Sequence, residues 1–321
     1  MEIYMQPMVD DKLDSIKYYT RKDQKFSIDR PFLIPNSKFC VDEKPYLLIL
    51  VPSKIDNFEE RKAIRATYGS MSSDRESRFY GANVDHVVKV MFILGASDNL
   101  LDKYKLWHEY EENGDTVQID VQETYYNLCF KMLYAFRWVN TYCNDVTYVL
   151  KSDDDTFVHI GVLLKVLIAR KPHENGSIYG KIYNKTQYLD VQKGDNKWKV
   201  LDSEYPLRKY PAYMQGSSYT LTANLIPKIL ETAIFLPYLH VEDVFLTGII
   251  GGHILGAELV ELNKTSDWTT EVPDPCLFAM SKRVSQSNMS PDFMYQTWDA
   301  ITINSLQCNE SMYSEDVLNA P

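Results

Sequence analysis

The chain lacks the short motifs that identify several common classes of enzyme. Its 321 residues contain no Gly-rich phosphate loop, no serine nucleophile elbow and no His-x-x-x-His pair. The cysteines form no Cys-x-x-Cys pair, and their spacings do not predict a zinc site. Two disulfides and one free thiol would account for the five cysteines, but spacing alone leaves the pairing open: Cys40, Cys129, Cys143, Cys276 and Cys308.

The sequence also lacks a basic patch, and its amino-terminal part lacks a long apolar run. The net charge of −10 repels nucleic acid and anionic membrane surfaces, so we expect no nucleic-acid partner. The polar residues 1–44 contain neither a signal peptide nor the apolar stretch of about 18 residues that a membrane anchor needs. We therefore predict a poorly ordered stem or tail over residues 1–44, and a second tail over residues 313–321.

Regular patterns begin at Pro45 and alternate between strand and helix. Short apolar runs predict four buried strands, each followed by a helical pattern: Tyr46–Val51, His86–Leu94, Thr116–Asp120 and Val146–Leu150. This alternation predicts an α/β fold with a mainly parallel central sheet and right-handed crossovers. No repeat or linker divides the chain, so we predict one domain over residues 45–312, with halves at 45–158 and 159–312. The second half is expected to be rich in loops.

Three consecutive carboxylates, Asp153, Asp154 and Asp155, follow the fourth predicted strand. Adjacent like charges repel and raise one another's pKa unless a cation lies among them. An arbitrary acidic triplet is more often a solvated turn, but ligands of open α/β sheets bind beyond the carboxyl ends of strands. Hard oxygen ligands at that position suit Mg²⁺ or Mn²⁺ holding a phosphorylated ligand.

Three kinds of chemistry compete for this triplet. A phosphatase of the haloacid dehalogenase type needs its first Asp directly after the strand, and here Lys151 and Ser152 intervene. A calcium loop needs an oxygen ligand at its fifth position, which Phe157 occupies. The third reading is a nucleotide-sugar transferase, in which a divalent cation bridges the diphosphate leaving group.

Five motifs favour this third reading. They are Arg61–Tyr68 (RKAIRATY), Glu123–Lys131 (ETYYNLCFK), Leu150–Val158 (LKSDDDTFV), Tyr210–Gly216 (YPAYMQG) and Val241–Gly248 (VEDVFLTG). In content and order they resemble the β1,3-galactosyltransferase/β1,3-N-acetylglucosaminyltransferase family. The resemblance implies a GT-A-like, Rossmann-type fold, UDP-Gal or UDP-GlcNAc as donor, Mn²⁺ or Mg²⁺ as cofactor, and inversion at the anomeric carbon.

The same resemblance implies roles for the acidic residues. Asp155 would ligate the metal together with Asp153, which would also contact the ribose side of UDP, and Asp154 would support them. Asp243 would be the general base that removes the proton of the acceptor's 3-hydroxyl. An acid at this position also suits the start of a helix, and both roles can hold together.

Donor and acceptor contacts are implied as well. Residues 45–158 would form the nucleotide-binding half, and residues 159–312 the acceptor half. The donor side would include Arg61, Arg65, Lys131 and Gly216, although surface ion pairs are nearly as plausible for the two arginines. The acceptor side would include Trp198, Tyr213 and Glu242, although packing is an equally ordinary role for the aromatic residues.

The family also implies a partner and a location. The acceptor would be a glycan on a glycoprotein or glycolipid at the lumenal side of the Golgi membrane, with any membrane contact made through an anchor that this sequence does not show. Asn-x-Ser/Thr acceptor sites agree mildly with the secretory pathway: Asn175, Asn184, Asn263, Asn288 and Asn309.

Three positions depart from the family pattern. Tyr68 replaces a Trp, Ser217 replaces a Gly, and Ser287 stands where the family has a His. A serine hydroxyl is a poorer ligand than imidazole for a transition metal, so metal affinity or activity could be reduced. The alternative hypothesis is therefore a weakened or inactive relative that binds a glycan or nucleotide. The donor sugar, the acceptor and the oligomeric state are not readable from these residues.

Overall fold

The computed structural model describes residues 24–72, 86–183, 198–202, 204–205, 207, 209–262, 273–303, 306 and 308–309. The strands in this part of the chain are β1 (Phe32–Ile34), β2 (Leu47–Pro52), β3 (Val88–Ala96), β4 (Thr116–Gln122), β5 (Tyr148–Ser152), β6 (Phe157–Val158), β7 (Ser177–Tyr183), β8 (Tyr213–Thr222), β9 (Glu258–Glu261) and β10 (Ser285–Gln286). The helices are α1 (Phe58–Ala66), α2 (Leu100–Asn113), α3 (Leu128–Tyr142), α4 (Ile160–Ala169), α5 (Ile226–Ala233), the π-helical α6 (Val244–Ile254), α7 (Pro275–Ala279) and α8 (Pro291–Thr302).

Eight of these strands form one sheet in the order β1-β4-β3-β2-β5-β8-β7-β9. Strands β4, β3, β2 and β5 are parallel neighbours, as the four alternating units predicted. Strand β8 then runs antiparallel between β5 and β7, and β9 is parallel to β7. The predicted α/β class with a mainly parallel sheet is confirmed.

Alternate residues of β2 pack on opposite faces of the sheet, so the strand is apolar throughout. Leu48 and Leu50 join the core that contains α3, α5 and α6. Leu47, Ile49 and Val51 join the core that contains α1, α4 and α8. The central strands are therefore buried on both sides, and their carboxyl ends are the part of the sheet left for a ligand.

Residues 24–44 belong to the folded domain, which corrects the predicted start at residue 45. Strand β1 pairs antiparallel with β4 at the edge of the sheet. The ring of Phe26 packs edge-on against Phe130 with centroids 5.2 Å apart, and a disulfide joins Cys40 to Cys143. Isolated phenylalanines in a polar stretch have no periodicity, so composition did not reveal this packing. Residues 1–23 and 313–321 lie outside the described residues.

The five cysteines divide into two disulfides and one thiol. The bonds join Cys40 to Cys143 and Cys276 to Cys308, whereas Cys129 is a buried free thiol in α3.

In the described part of the chain, no helix combines the length and apolar character needed to cross a membrane.

Candidate active site

The acidic triplet lies at the carboxyl end of β5, in a loop held from both sides. The backbone N–H of Asp153 donates to the carbonyl of Ser217 in β8 at 2.9 Å, and that of Met289 donates to the carbonyl of Asp155 at 2.8 Å. Just before Met289, β10 pairs antiparallel with β6, which follows the triplet. The triplet therefore lies between β8 and the segment after β10, where open α/β sheets bind ligands.

The Asp154 side chain faces the loop that follows β2. Its Oδ2 atom accepts hydrogen bonds from Ser53 Oγ at 2.6 Å and from Asn57 Nδ2 at 2.8 Å. Hydrogen bonds to a carboxylate are stronger than those between neutral groups. Asp154 thus ties the triplet to the neighbouring strand end, which suits the supporting role expected of it.

Asp153 and Asp155 are the two members of the triplet expected to hold a cation. The pKa of Asp155 is raised to about 6, first by burial and then by the negative charges of Asp153 and Asp154. A divalent ion between these carboxylates would offset their repulsion, so the residues present fit Mn²⁺ or Mg²⁺. No group of three or more His, Cys, Asp or Glu side chains is gathered for a metal within the described residues. Such an ion would take its other ligands from water and donor phosphates, as Mg²⁺ commonly does.

Lys151 is a buried cation inside this acidic region, and the family resemblance implied no role for it. Its Nζ donates hydrogen bonds to the carboxylate of Asp153 and to the backbone carbonyl of Gly216. The side chain is 1% exposed, because β5 is covered on both faces. A lysine within a strand that is otherwise fully buried was the sequence signal for this role.

Asp243 stands directly against Gly216. A Cβ atom built on Gly216 would lie 2.8 Å from Asp243 Oδ2, closer than real Cβ contacts allow. Burial raises the pKa of Asp243 to about 6, against the hydrogen bond that its Oδ1 accepts from Val244 N–H at 2.8 Å. Asp243 therefore does begin a helix, α6, and it also places a basic carboxylate beside β8.

Glu242 was predicted to lie on the acceptor side, and the structure gives its side chain a protein partner. The residue is buried and accepts a hydrogen bond from the hydroxyl of Tyr219. Burial raises the pKa of Glu242 to about 7, partly offset by the charge of Lys151. Glu242 thus connects the start of α6 to β8.

Tyr213 is also buried rather than exposed to an acceptor. Its ring packs against Tyr183 with centroids 5.4 Å apart and against Tyr210 at 6.2 Å. A Cβ atom on Gly248 would lie 2.8 Å from Tyr213 Cβ, so the glycine allows α6 to approach β8. This contact makes Tyr213 part of the packing between α6 and the sheet.

Trp198 is brought to the acidic site by a tyrosine that the sequence interpretation missed. The half-buried side chain of Tyr125 hydrogen bonds with Trp198. The pKa of Tyr125 is raised by burial and then by the negative charges of Asp243, Glu242 and Asp153, which places its phenol near both acidic groups. Tyr125 lies within the second sequence motif, so the motif itself was the available signal.

Arg61 is fully buried, and its predicted contact with the donor stays a prediction. Its guanidinium uses all five N–H donors: two on Glu109 at 2.8 and 2.7 Å, and three on the loop after β2. The loop acceptors are Ser53 Oγ and the carbonyls of Lys54 and Ile55. Arg61 therefore holds the loop on which Asp154 rests.

Arg65 and Lys131 are likewise engaged with protein groups. Arg65 pairs with Asp115 through two hydrogen bonds at 2.7 and 2.8 Å, and it lines a groove between α1 and α2. Lys131 Nζ donates to the carbonyl of Ser53 at 2.8 Å and to Glu123 Oε1 at 2.6 Å. Both side chains therefore have protein partners, and their predicted contacts with the donor stay predictions.

Ser287 lies beside the triplet, immediately after β10. Its hydroxyl is buried and, within the described residues, has no hydrogen-bond partner. The position therefore matches the one at which the family pattern expects a metal ligand. A hydroxyl left unpaired in a folded site costs free energy unless a ligand satisfies it.

The fold and this site define an α/β protein with a cluster of acidic residues at the carboxyl ends of parallel strands. A family model described as galactosyltransferase matches residues 59–255, and the chain belongs to that family. Among curated relatives, β-1,3-galactosyltransferase 5 of Mus musculus is 30% identical over 207 residues, which is 64% of this chain and 63% of the relative. The Homo sapiens β-1,3-galactosyltransferase 2 is 30% identical over 218 residues, which is 67% of this chain and 49% of that protein.

Solved structures with similar folds are more distant. The WbbM bifunctional glycosyltransferase has a TM-score of 0.42 at 11% identity, covering 84% of this chain and 51% of that one. The galactosyltransferase LgtC has a TM-score of 0.41 at 11% identity, covering 79% of this chain and 96% of LgtC.

Proposed function

We propose that this protein is an inverting β1,3-hexosyltransferase with a GT-A-like fold. It transfers Gal, or alternatively GlcNAc, from a UDP-sugar to an acceptor glycan on a glycoprotein or glycolipid. The observation that carries the proposal is the approach of two acidic groups across β8: the triplet at one side and Asp243, against Gly216, at the other. The names of the similar proteins support the linkage and the sugar.

Each residue of the site has a separate task in a single displacement step. Asp243 takes the proton of the acceptor hydroxyl, because a pKa of about 6 leaves it ionised yet basic near neutral pH. Asp153 and Asp155 hold the divalent ion, and Asp154 fixes their loop through Ser53 and Asn57. The ion, when bound, supplies Lewis-acid stabilisation of the leaving diphosphate. Trp198 and its hydrogen-bond partner Tyr125 supply aromatic faces that suit a sugar ring.

The first experiment tests the role of Asp243 as the general base. In a transfer assay with UDP-Gal and UDP-GlcNAc, Asp243→Asn should lower kcat by about 10²–10⁴-fold, the usual contribution of a general base. Asp274→Asn is the matched control, because Asp274 also begins a helix by accepting from the N–H of Cys276 at 2.9 Å. Equal activity of Asp243→Asn and the wild type would remove Asp243 from the mechanism.

A second candidate function is favoured by Ser287. If the hydroxyl cannot replace the expected imidazole, the protein would bind a nucleotide or glycan without turnover. Calorimetry of UDP with and without Mn²⁺ separates the two functions. Metal-dependent binding with transfer supports the enzyme, whereas metal-independent binding without transfer supports the binding protein.

The Golgi lumen is the proposed location. Two disulfides within one domain suit an oxidising compartment, since such bonds rarely persist in the cytosol. Immunofluorescence of the tagged protein in cells, beside a Golgi marker, tests the location, and a diffuse cytosolic signal would contradict it.

A further inference from the structure

Lys151 is a buried cation in contact with the acidic site, and the proposed mechanism does not use it. Its two hydrogen-bond acceptors belong to different segments, because Asp153 follows β5 whereas Gly216 lies in β8. One ammonium group therefore joins the carboxylate proposed for the donor side to the strand that borders the base. Only 1% of Lys151 is exposed, so its side chain is surrounded by protein rather than by solvent.

Gly216 connects this lysine to Asp243. The carbonyl of Gly216 accepts from Lys151 Nζ, while its Cα faces the Asp243 carboxylate with no room for a side chain. A shift of this one backbone segment would therefore move the surface against which the base rests. Lys151 limits that shift by holding the carbonyl of Gly216.

A second contact joins the same two strands to α6. Tyr219 lies directly opposite Lys151 in the antiparallel pairing of β5 and β8, so the two side chains share a face of the sheet. The Tyr219 hydroxyl donates to Glu242, the neighbour of Asp243. The start of α6 thus meets β8 at two points. Asp243 lies against Gly216, and Glu242 accepts a hydrogen bond from Tyr219.

We propose that Lys151 is a positioning residue for glycosyl transfer, whose ammonium sets the separation between the carboxylate of Asp153 and the base Asp243. This inference rests on the proposed function and extends it to the alignment of donor and acceptor. An error of about 1 Å in such an alignment can cost about 10²-fold in rate. Lys151 touches neither substrate; it acts through Asp153 and Gly216.

Lys151→Met tests this role in the full chain. We expect kcat to fall about 100-fold, because the base is no longer aligned with the donor. The Kd of UDP with Mn²⁺, measured by calorimetry, should change much less, because the backbone bond from Asp153 to Ser217 keeps the triplet in its loop. Lys151→Arg keeps the charge but not the compact head group. It should therefore be more stable than Lys151→Met, while its kcat stays below that of the wild type.

Lys89→Met is the matched control. Lys89 lies in β3, donates to the carbonyl of Phe39 at 2.7 Å and stands 3.9 Å from Glu43, so it makes the same kinds of contact away from the triplet. Its loss should lower the melting temperature and leave kcat unchanged. If both methionine variants lose activity only in proportion to stability, Lys151 is merely structural and the proposal fails.

The outcomes separate the two proposals. A wild-type protein that neither transfers nor binds UDP with Mn²⁺ overturns the proposed function, and the role of Lys151 with it. A wild-type protein that transfers sugar, beside a Lys151→Met variant of equal kcat, overturns only the role of Lys151. Should Lys151→Met not fold, Lys151→Arg decides: a folded variant with wild-type kcat contradicts the proposal.

Discussion

Gly216 lies so close to the carboxylate of Asp243 that a Cβ atom at position 216 would be only 2.8 Å from Oδ2. The two residues are 27 positions apart and meet because α6 begins beside β8. Any side chain at position 216 would push the carboxylate away or shift the strand. The contact makes one glycine a determinant of the geometry of the proposed base.

Gly216→Ala should therefore impair catalysis more than folding. The added methyl would lie 2.8 Å from Asp243 Oδ2, and we expect kcat to fall about 10–100-fold as the base is displaced. Stability should fall by about 1–3 kcal/mol, as in other overpacked sites. Gly252→Ala is the control, since its Cβ would meet nothing closer than 3.4 Å. Equal kcat for the two alanine variants would contradict the prediction.

The pH dependence of the reaction should report Asp243. The base must be ionised to accept a proton, so kcat/KM should be lost as the pH falls through about 6, where the pKa of Asp243 lies. An unperturbed aspartate would give this limb near pH 4. Below the pKa, the rate should fall about tenfold for each pH unit. Asp243→Asn, assayed for residual transfer across the same range, should show no such limb.

Neutralising Glu242 should stabilise the protein at high pH. Burial raises the pKa of Glu242 from 4.5 to about 7, so the folded state binds its proton more tightly than the unfolded state. Stability from this group is complete below pH 4.5 and is lost as the pH rises through 7. Glu242→Gln removes that loss, which is on the order of 3 kcal/mol above pH 8.

Urea unfolding at pH 5 and pH 8 measures this effect. The free energy of unfolding of Glu242→Gln, relative to that of the wild type, should rise between the two pH values. Glu231→Gln, on the exposed side of α5, is the control and should show no such rise. A difference that stays constant with pH would show that Glu242 is ionised in both states.

Arg61→Lys should destabilise the domain without weakening nucleotide binding directly. The lysine cannot reproduce the five hydrogen bonds of the guanidinium, two of them to Glu109, and it leaves buried acceptors unpaired. A loss of about 3–5 kcal/mol in unfolding free energy is expected. Calorimetry at a temperature where the variant is folded should give a Kd for UDP close to that of the wild type. A Kd raised tenfold with unchanged stability would indicate a direct contact of Arg61 with the donor.

The four parallel strands β2 to β5 were predictable because their signals are local. Runs such as Leu47–Pro52 are apolar over the length of a strand, and segments with helical spacing separate them, so strands and crossovers follow from short segments. The acidic triplet was predictable for the same reason, since three carboxylates after an apolar run are visible without any contact. The family motifs then extended the site to Asp243.

The roles of individual cations were not predictable. Arg61, Lys131 and Lys151 all occur in motifs, yet each is buried against groups distant in the sequence, such as Glu109 or Gly216. A sequence shows that a positive charge is present but not which carboxylate or carbonyl it will meet. The β5–β8 pairing decides that for Lys151, because it brings residues 151 and 216 together.

The place of residues 24–44 in the fold was likewise not predictable from the sequence. Their polar composition indicated a stem, but Phe26, the β1–β4 pairing and the Cys40–Cys143 bond attach them to the core. From sequence alone, the chain could be assigned its α/β class, its acidic ligand-binding edge and its resemblance to a family. The partners of each buried acid and lysine, and the residue at which the domain begins, depend on contacts between distant segments. The energies of those contacts exist only once the sheet has formed.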